Sequence, residues 1–154
     1  MTASDRSPRA PSDLPETPEH RRFLRGLAAH YAEDDRILAA AVFGSLGRGT
    51  WDAHSDLDLD VVLADGVTLD VLDELRRLCR ALGEQPAVLI PDGDDAADVV
   101  LGTLLQFSIR YHRLADTSPN IADSLMVLTG RLGAAEIIEA GLANHATPSA
   151  DVPN

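Results

Sequence analysis

The run Ser55-Asp-Leu-Asp-Leu-Asp-Val-Val-Leu63 alternates acidic and aliphatic side chains. Period two belongs to a strand, with one face in a core and the other turned away from it. Residues i and i+2 then lie on one face about 6.6 Å apart. Asp56 and Asp58 therefore present two carboxylates in one direction while Leu57 and Leu59 enter the core. Asp60 lies on the same face two residues further along. Two acids at a buried strand end repel each other unless a cation neutralises them. Hard carboxylate oxygens suit Mg²⁺, which prefers a few carboxylates together with substrate phosphates. Two such ions about 3.5–4 Å apart hold the attacking and leaving oxygens of a phosphoryl displacement.

Upstream, Ile37-Leu-Ala-Ala-Ala-Val-Phe43 is a short apolar run, as expected of a strand buried in a sheet. It ends on Gly44-Ser45, followed by Arg48 and Gly49. Glycine lets a backbone approach a phosphate closely, and the amides that follow can point at it. The Ser45 hydroxyl adds a donor, and Arg48 offers a two-toothed phosphate contact. A phosphate cradle and a carboxylate pair thus lie on consecutive strands. Gly44, Gly47 and Gly49 do not make the dinucleotide-binding G-x-G-x-x-G, and no lysine follows for a Walker loop.

The other elements follow from periodicity and punctuation. Thr17-Pro18-Glu19 starts a helix that carries Phe23, Leu27, Ala28 and Tyr31 to about residue 32. Thr68 to Leu82 is amphipathic, with acids early, arginines late and Gly83 as its stop. Ala87–Ile90 is a third strand, residues 91–98 a turn, and Val99–His112 one long strand. Ile121 to about Leu142 reads as a helix with a glycine interruption at Gly130–Gly133, and Thr117 or Ser118 caps the helix that Pro119 opens. The class is α+β, a mixed β-sheet flanked by helices. Residues 1–18 and 146–154, rich in Pro, Ser, Thr and Asp, read as tails around a single domain spanning 19–145, with its C-terminal helix from about residue 119.

Charge excludes several functions. The 154-residue chain carries 13 arginines, no lysine and 25 acids, for a net charge of −12. That balance argues against a nucleic-acid binder and against docking on anionic lipid. Residues 52–98 hold thirteen acids and three arginines, a local −10, most of which reads as solvated surface. Without lysine there is no Schiff-base chemistry, and any grip on phosphate must come from amides, Ser45, Mg²⁺ and arginine. Cys79 is the only cysteine, which excludes an internal disulfide and a multi-cysteine metal site and suggests a cytoplasmic protein. No apolar leader and no apolar run near the roughly 20 residues of a membrane span is visible.

Val42-Phe43-Gly44-Ser45, a ten-residue gap and then Asp56-Leu57-Asp58-Leu59 together resemble the signature of the DNA-polymerase-beta-like nucleotidyltransferase superfamily. The form with Gly-Ser-Leu-Gly-Arg-Gly is most similar to its small stand-alone and antibiotic-modifying branch. The resemblance covers about residues 20–112. It implies transfer of a nucleoside monophosphate from an NTP to a hydroxyl of a small molecule or protein, with Mg²⁺ and release of pyrophosphate. Asp56 and Asp58 would hold the metal, and Gly44, Ser45 and Arg48 the nucleotide.

The family usually adds a third carboxylate from a later strand. On the expected strand one face reads Gly102, Leu104, Gln106, Ser108, Arg110, His112, with no acid among them. Gln106 or Ser108 stands about where the acid is expected, and His112 is a candidate to replace it as base. Glu84, Asp92 and Asp94 are less suitable alternatives near turns and helix ends. Loss of a general base costs roughly 10²–10⁴ in rate. The alternative reading is therefore a catalytically silent binding module or antitoxin-type partner. A helical substrate-binding part would come from residues 121–145 or from a second subunit, as in a homodimer.

Overall fold

The computed structural model describes residues 18–43, 57–118 and 125–146. Helix α1 spans Pro18–Ala32, strand β1 Ile37–Phe43, β2 Leu57–Leu63, and helix α2 Val71–Leu82. Strands β3 (Pro86–Asp92), β4 (Ala96–Leu101) and β5 (Gln106–Arg113) follow, then a short 3₁₀ turn at Leu114–Asp116, β6 (Met126–Gly130) and helix α3 (Ala134–Ala146). The six strands form one sheet in the order β3-β4-β5-β2-β1-β6. The β2–β5 pair is parallel and every other pair is antiparallel. This is the α+β class with a mixed sheet.

Local chemistry explains the helices. Proline opens α1, where its missing N–H costs nothing. The α1 stripe Phe23, Leu24, Leu27 and Tyr31 is buried. Asp70 caps α2 by accepting the Asp73 N–H at 3.0 Å. Gly83 ends it at φ 71°, in the left-handed region, while the Glu84 N–H donates to the Cys79 carbonyl at 2.8 Å.

The sheet divides its side chains by parity. One face buries Leu57, Leu59 and Val61 of β2, Ala97, Val99 and Leu101 of β4 and Phe107, Ile109 and Tyr111 of β5 together with the stripes of α1 and α2. The Phe23 and Phe107 rings meet there with centroids 4.7 Å apart. The polar atoms in this layer are paired. The Tyr31 hydroxyl donates to Glu74 Oε2 at 3.1 Å and lies 2.6 Å from the Tyr111 hydroxyl, and Arg36 Nη2 donates to Glu74 Oε1 at 3.0 Å. Burial pushes both phenols well above their usual range, so they remain neutral donors. On the other face, Ala134 and Ile137 of α3 cover Ala39 and Ala41 of β1, Val62 of β2 and Val127 of β6. Among the described residues no helix covers the β3–β4–β5 half of that face.

Two elements differ from the sequence reading. The single strand expected over Val99–His112 is a hairpin of β4 and β5. The chain turns at Leu101–Leu105, where the Leu104 N–H donates to the Leu101 carbonyl at 2.8 Å and Leu104 takes φ 72°. The helix expected from Ile121 to Leu142 is instead β6 followed by α3 over its described part. The glycine interruption is the junction between the two. Gly133 N–H donates to Glu136 Oε1 at 2.7 Å, which satisfies a donor at the start of α3. Gly130 has φ 148°, and a Cβ there would meet the Leu38 carbonyl and the Ala39 backbone.

Gly130→Ala is therefore expected to lower unfolding free energy by about 1–3 kcal/mol, from strain and the displaced β1–β6 contact. Urea unfolding measures it; a stability equal to that of the parent would show that the junction tolerates a side chain.

Candidate functional site

Register aligns one row of residues across five strands. Phe43 of β1 pairs with Asp58 of β2, Asp58 with Ser108 of β5, Ser108 with Asp98 of β4, and Asp98 with Ile90 of β3. Neighbouring strands stand about 4.8 Å apart. In-register residues share a face, so Asp58, Ser108, Asp98 and Ile90 lie along the half of the sheet that α3 leaves open. Asp58 is half-buried and Asp98 exposed. The Ser108 hydroxyl donates to Asp98 Oδ1 at 2.6 Å, which ties the Asp98 carboxylate to the β5 neighbour of Asp58.

The next row along the strands behaves differently. Asp60 is 2% exposed, and its Oδ2 lies 2.6 Å from His112 Nε2. His112 is buried as well, and its Nδ1 lies 2.7 Å from the Arg113 carbonyl. A carbonyl only accepts, so Nδ1 carries a proton and donates it. Nε2 then either donates to a carboxylate or accepts from a carboxylic acid. One proton sits between Asp60 and His112 in either case, and both ring nitrogens are engaged. Arg110, in register with Asp60, donates from Nε to Asp95 Oδ2 at 3.1 Å.

The expected site residues thus separate. Asp58 stands on the open face, as does exposed Gln106, which pairs with Val100. Ser108 is the in-register neighbour of Asp58, and what stands there is a hydroxyl held by an acid from the next strand. His112, considered as a base, has no ring nitrogen left to take a proton from an acceptor. Gly44, Ser45, Arg48 and Asp56 lie outside the described residues, as does Pro119. Gly44 and Ser45 directly follow Phe43, the β1 residue opposite Asp58.

Glu84 lies 3.5 Å from Arg22 at the end of α2, and Asp92 and Asp94 are exposed at the β3–β4 turn. Asp98 is the acid that sequence reasoning missed, because residues 91–98 read as a turn. The alternation of buried Ala97, Val99 and Leu101 around it is the signal that marks it as the open-face residue of a strand.

The donor set along the row is all oxygen: the Asp58 and Asp98 carboxylates and the Ser108 hydroxyl. That chemistry fits a hard cation such as Mg²⁺ that keeps phosphate or water ligands. Among the described residues no three His, Cys, Asp or Glu side chains cluster closely enough to hold a metal by themselves. A larger cleft of about 340 Å³ lies at the far end of β5, between Leu63, Val67 and Arg113. Its arginines are already paired, Arg110 with Asp95 and Arg113 with Asp116 at 3.4 Å.

Residues 21–92 match the family model described as a nucleotidyltransferase domain. The match is consistent with the DNA-polymerase-beta-like superfamily and takes in α1, β1, β2, α2 and β3. No curated protein matches the chain. Among the described residues, no helix is long and apolar enough to cross a membrane.

His112→Ala should cost about 3–5 kcal/mol in urea unfolding, because it strands a buried carboxyl. Asp60→Asn should cost less, near 1 kcal/mol, because an amide can donate to Nε2 while Nδ1 keeps the Arg113 carbonyl. Equal losses for the two variants would mean that the pair depends on charge and not on this hydrogen-bonded chain.

Proposed function

We propose, from the match of residues 21–92 to a nucleotidyltransferase domain, that the chain transfers a nucleoside monophosphate from an NTP to a hydroxyl, with Mg²⁺ held at Asp58. The observation that supports this most is the β1–β2 register. It sets Asp58, on the open face of the sheet, opposite the residue that leads into Gly44-Ser45. A carboxylate for a cation then stands opposite the residue that precedes Gly44-Ser45 in the sequence, and a nucleoside triphosphate needs both a cation ligand and close backbone approach to its phosphates.

In this reading Asp58 and Asp56 hold the metal, while Gly44, Ser45 and Arg48 bind the phosphates. Bound Mg²⁺ would supply charge neutralisation at the phosphates and orientation of the leaving pyrophosphate. Asp60 would not join them as a ligand, because its carboxyl is already hydrogen-bonded to His112. The bond from the acceptor oxygen to the α-phosphorus forms, the bond to the β-phosphate oxygen breaks, and pyrophosphate leaves. The acceptor is a small molecule or a protein hydroxyl. The net charge of −12 favours a cationic acceptor and disfavours nucleic acid. The cytoplasm is the proposed compartment, since the chain holds one cysteine, Cys79, buried and unpaired.

One observation favours a second reading. The side chain beside Asp58 on β5 is Ser108, not a carboxylate. A domain that binds NTP and no longer turns it over fits that substitution.

Calorimetric titration of Mg²⁺ and each NTP, followed by pyrophosphate release, decides between them. The wild type is expected to bind one NTP in a Mg²⁺-dependent way. Asp58→Asn should weaken that binding at least tenfold, the loss of roughly one charged contact, while keeping the unfolding midpoint near that of the parent. Binding without pyrophosphate release on any acceptor would select the silent module, and unchanged NTP affinity in Asp58→Asn would remove the site assignment.

A further inference from the structure

Beyond Asp58, the open row continues onto a patch that the transfer of a nucleotide does not yet use. Val88 and Ile90 of β3 are 43% and 54% exposed, although both are large hydrophobics within a sheet. They stand in register with Val100 and Asp98 of β4, and these with Gln106 and Ser108 of β5. The six side chains line a cavity of about 270 Å³. It has an aliphatic rim at Val88, Ile90 and Val100, an amide at Gln106, and an acid at Asp98 that faces Ser108. Residues 81–109 hold five acids and no arginine, so nothing cationic in this segment competes for Asp98.

Resting on the nucleotidyltransferase reading above, we propose that this patch is the acceptor subsite, and that the acceptor is a compact cation with a hydroxyl and a hydrocarbon portion. The aliphatic residues take the hydrocarbon, and the acidic hairpin attracts the charge. Asp98 meets the hydroxyl. In the transfer, the acceptor oxygen bonds to the α-phosphorus of the NTP, the α–β phosphoanhydride bond breaks, and pyrophosphate leaves. The hydroxyl proton passes to the Asp98 carboxylate and from there to water. The Ser108 hydroxyl, bonded to Asp98 at 2.6 Å, fixes that carboxylate beside the β5 residue that pairs with Asp58.

A small molecule suits the patch better than a peptide strand. β3 is an edge strand, and an extended peptide would dock by adding to it. Pro86 and Pro91 lie at either end of that strand and remove donors from its edge. The cavity is also at the small end of the range for ligand sites.

The test uses the full chain with 2-amino-1-phenylethanol as probe, against ethanolamine, which lacks the hydrocarbon, and 2-phenylethanol, which lacks the charge. Binding is followed by calorimetry and by amide chemical shifts. The probe is expected to bind at least tenfold more tightly than either comparator, with shifts centred on Val88, Ile90 and Asp98. Asp98→Asn, which can still accept from Ser108, should weaken it at least tenfold. Ile90→Ser should narrow the gap between probe and ethanolamine. No binding, equal binding of 2-phenylethanol, shifts centred elsewhere, or indifference to Asp98→Asn would each overturn the proposal. Adding Mg²⁺ and NTP then reads out transfer. Pyrophosphate release that depends on the probe and is lost in Asp98→Asn supports the acceptor role. NTP and probe both bound without release overturns it. Probe binding at the patch with no NTP binding would instead contradict the nucleotidyltransferase reading on which it rests. A protein hydroxyl modified in preference to the probe overturns the small-molecule assignment.

Discussion

The buried hydrogen bond between Asp60 and His112 spans the one parallel strand pair among the described residues. It joins β2 to β5 on the face opposite the aromatic core, where an unpaired acid would be costly. Because both groups are buried and mutually satisfied, the second acid of the alternating strand becomes part of the scaffold. The first described acid, Asp58, stays at the open end. One repeating sequence pattern thus yields two kinds of carboxylate, separated by a single row of the sheet. The β2–β5 register that the pair bridges also sets Ser108 beside Asp58, and through Ser108 brings in Asp98.

The helices follow the same division. α1 and α2 cover one face completely with a contiguous apolar layer, while α3 covers only the β1–β6 half of the other. Among the described residues, the half that no helix covers is where the polar row runs and where Val88 and Ile90 are exposed. A sheet face left half open by its helices is a surface on which a ligand can lie across several strands. The acid-rich hairpin beside it gives that surface its sign of charge.

Local patterns in the sequence were sufficient for much of this. The alternation over residues 55–63 placed Asp58 and Asp60 on one face, because side-chain direction in a strand is a local property. The caps of α2 were legible for the same reason: Asp70 and Gly83 act within one turn. The different fates of Asp58 and Asp60 were not legible, since they depend on His112, which is 52 residues away. Asp98 is hidden because β4 begins inside an acidic turn, and because the β4–β5 turn carries a single glycine, Gly102, within an otherwise apolar alternation, with Leu104 taking the positive φ. β6 was absorbed into a helical pattern because it is short and runs almost directly into α3, with Gly130 serving a close backbone contact.

In the proposed function a divalent cation docks at the Asp58 end of β2 and not at Asp60. Paramagnetic relaxation by Mn²⁺, substituted for Mg²⁺ in the presence of NTP, tests it directly on the amide signals of β2 and β5. Broadening is expected to be strongest at Leu57, Asp58 and Ser108 and to fall away towards Leu63 and Arg113. Broadening centred on Asp60 and His112, or on the Asp92–Asp95 turn, would contradict it.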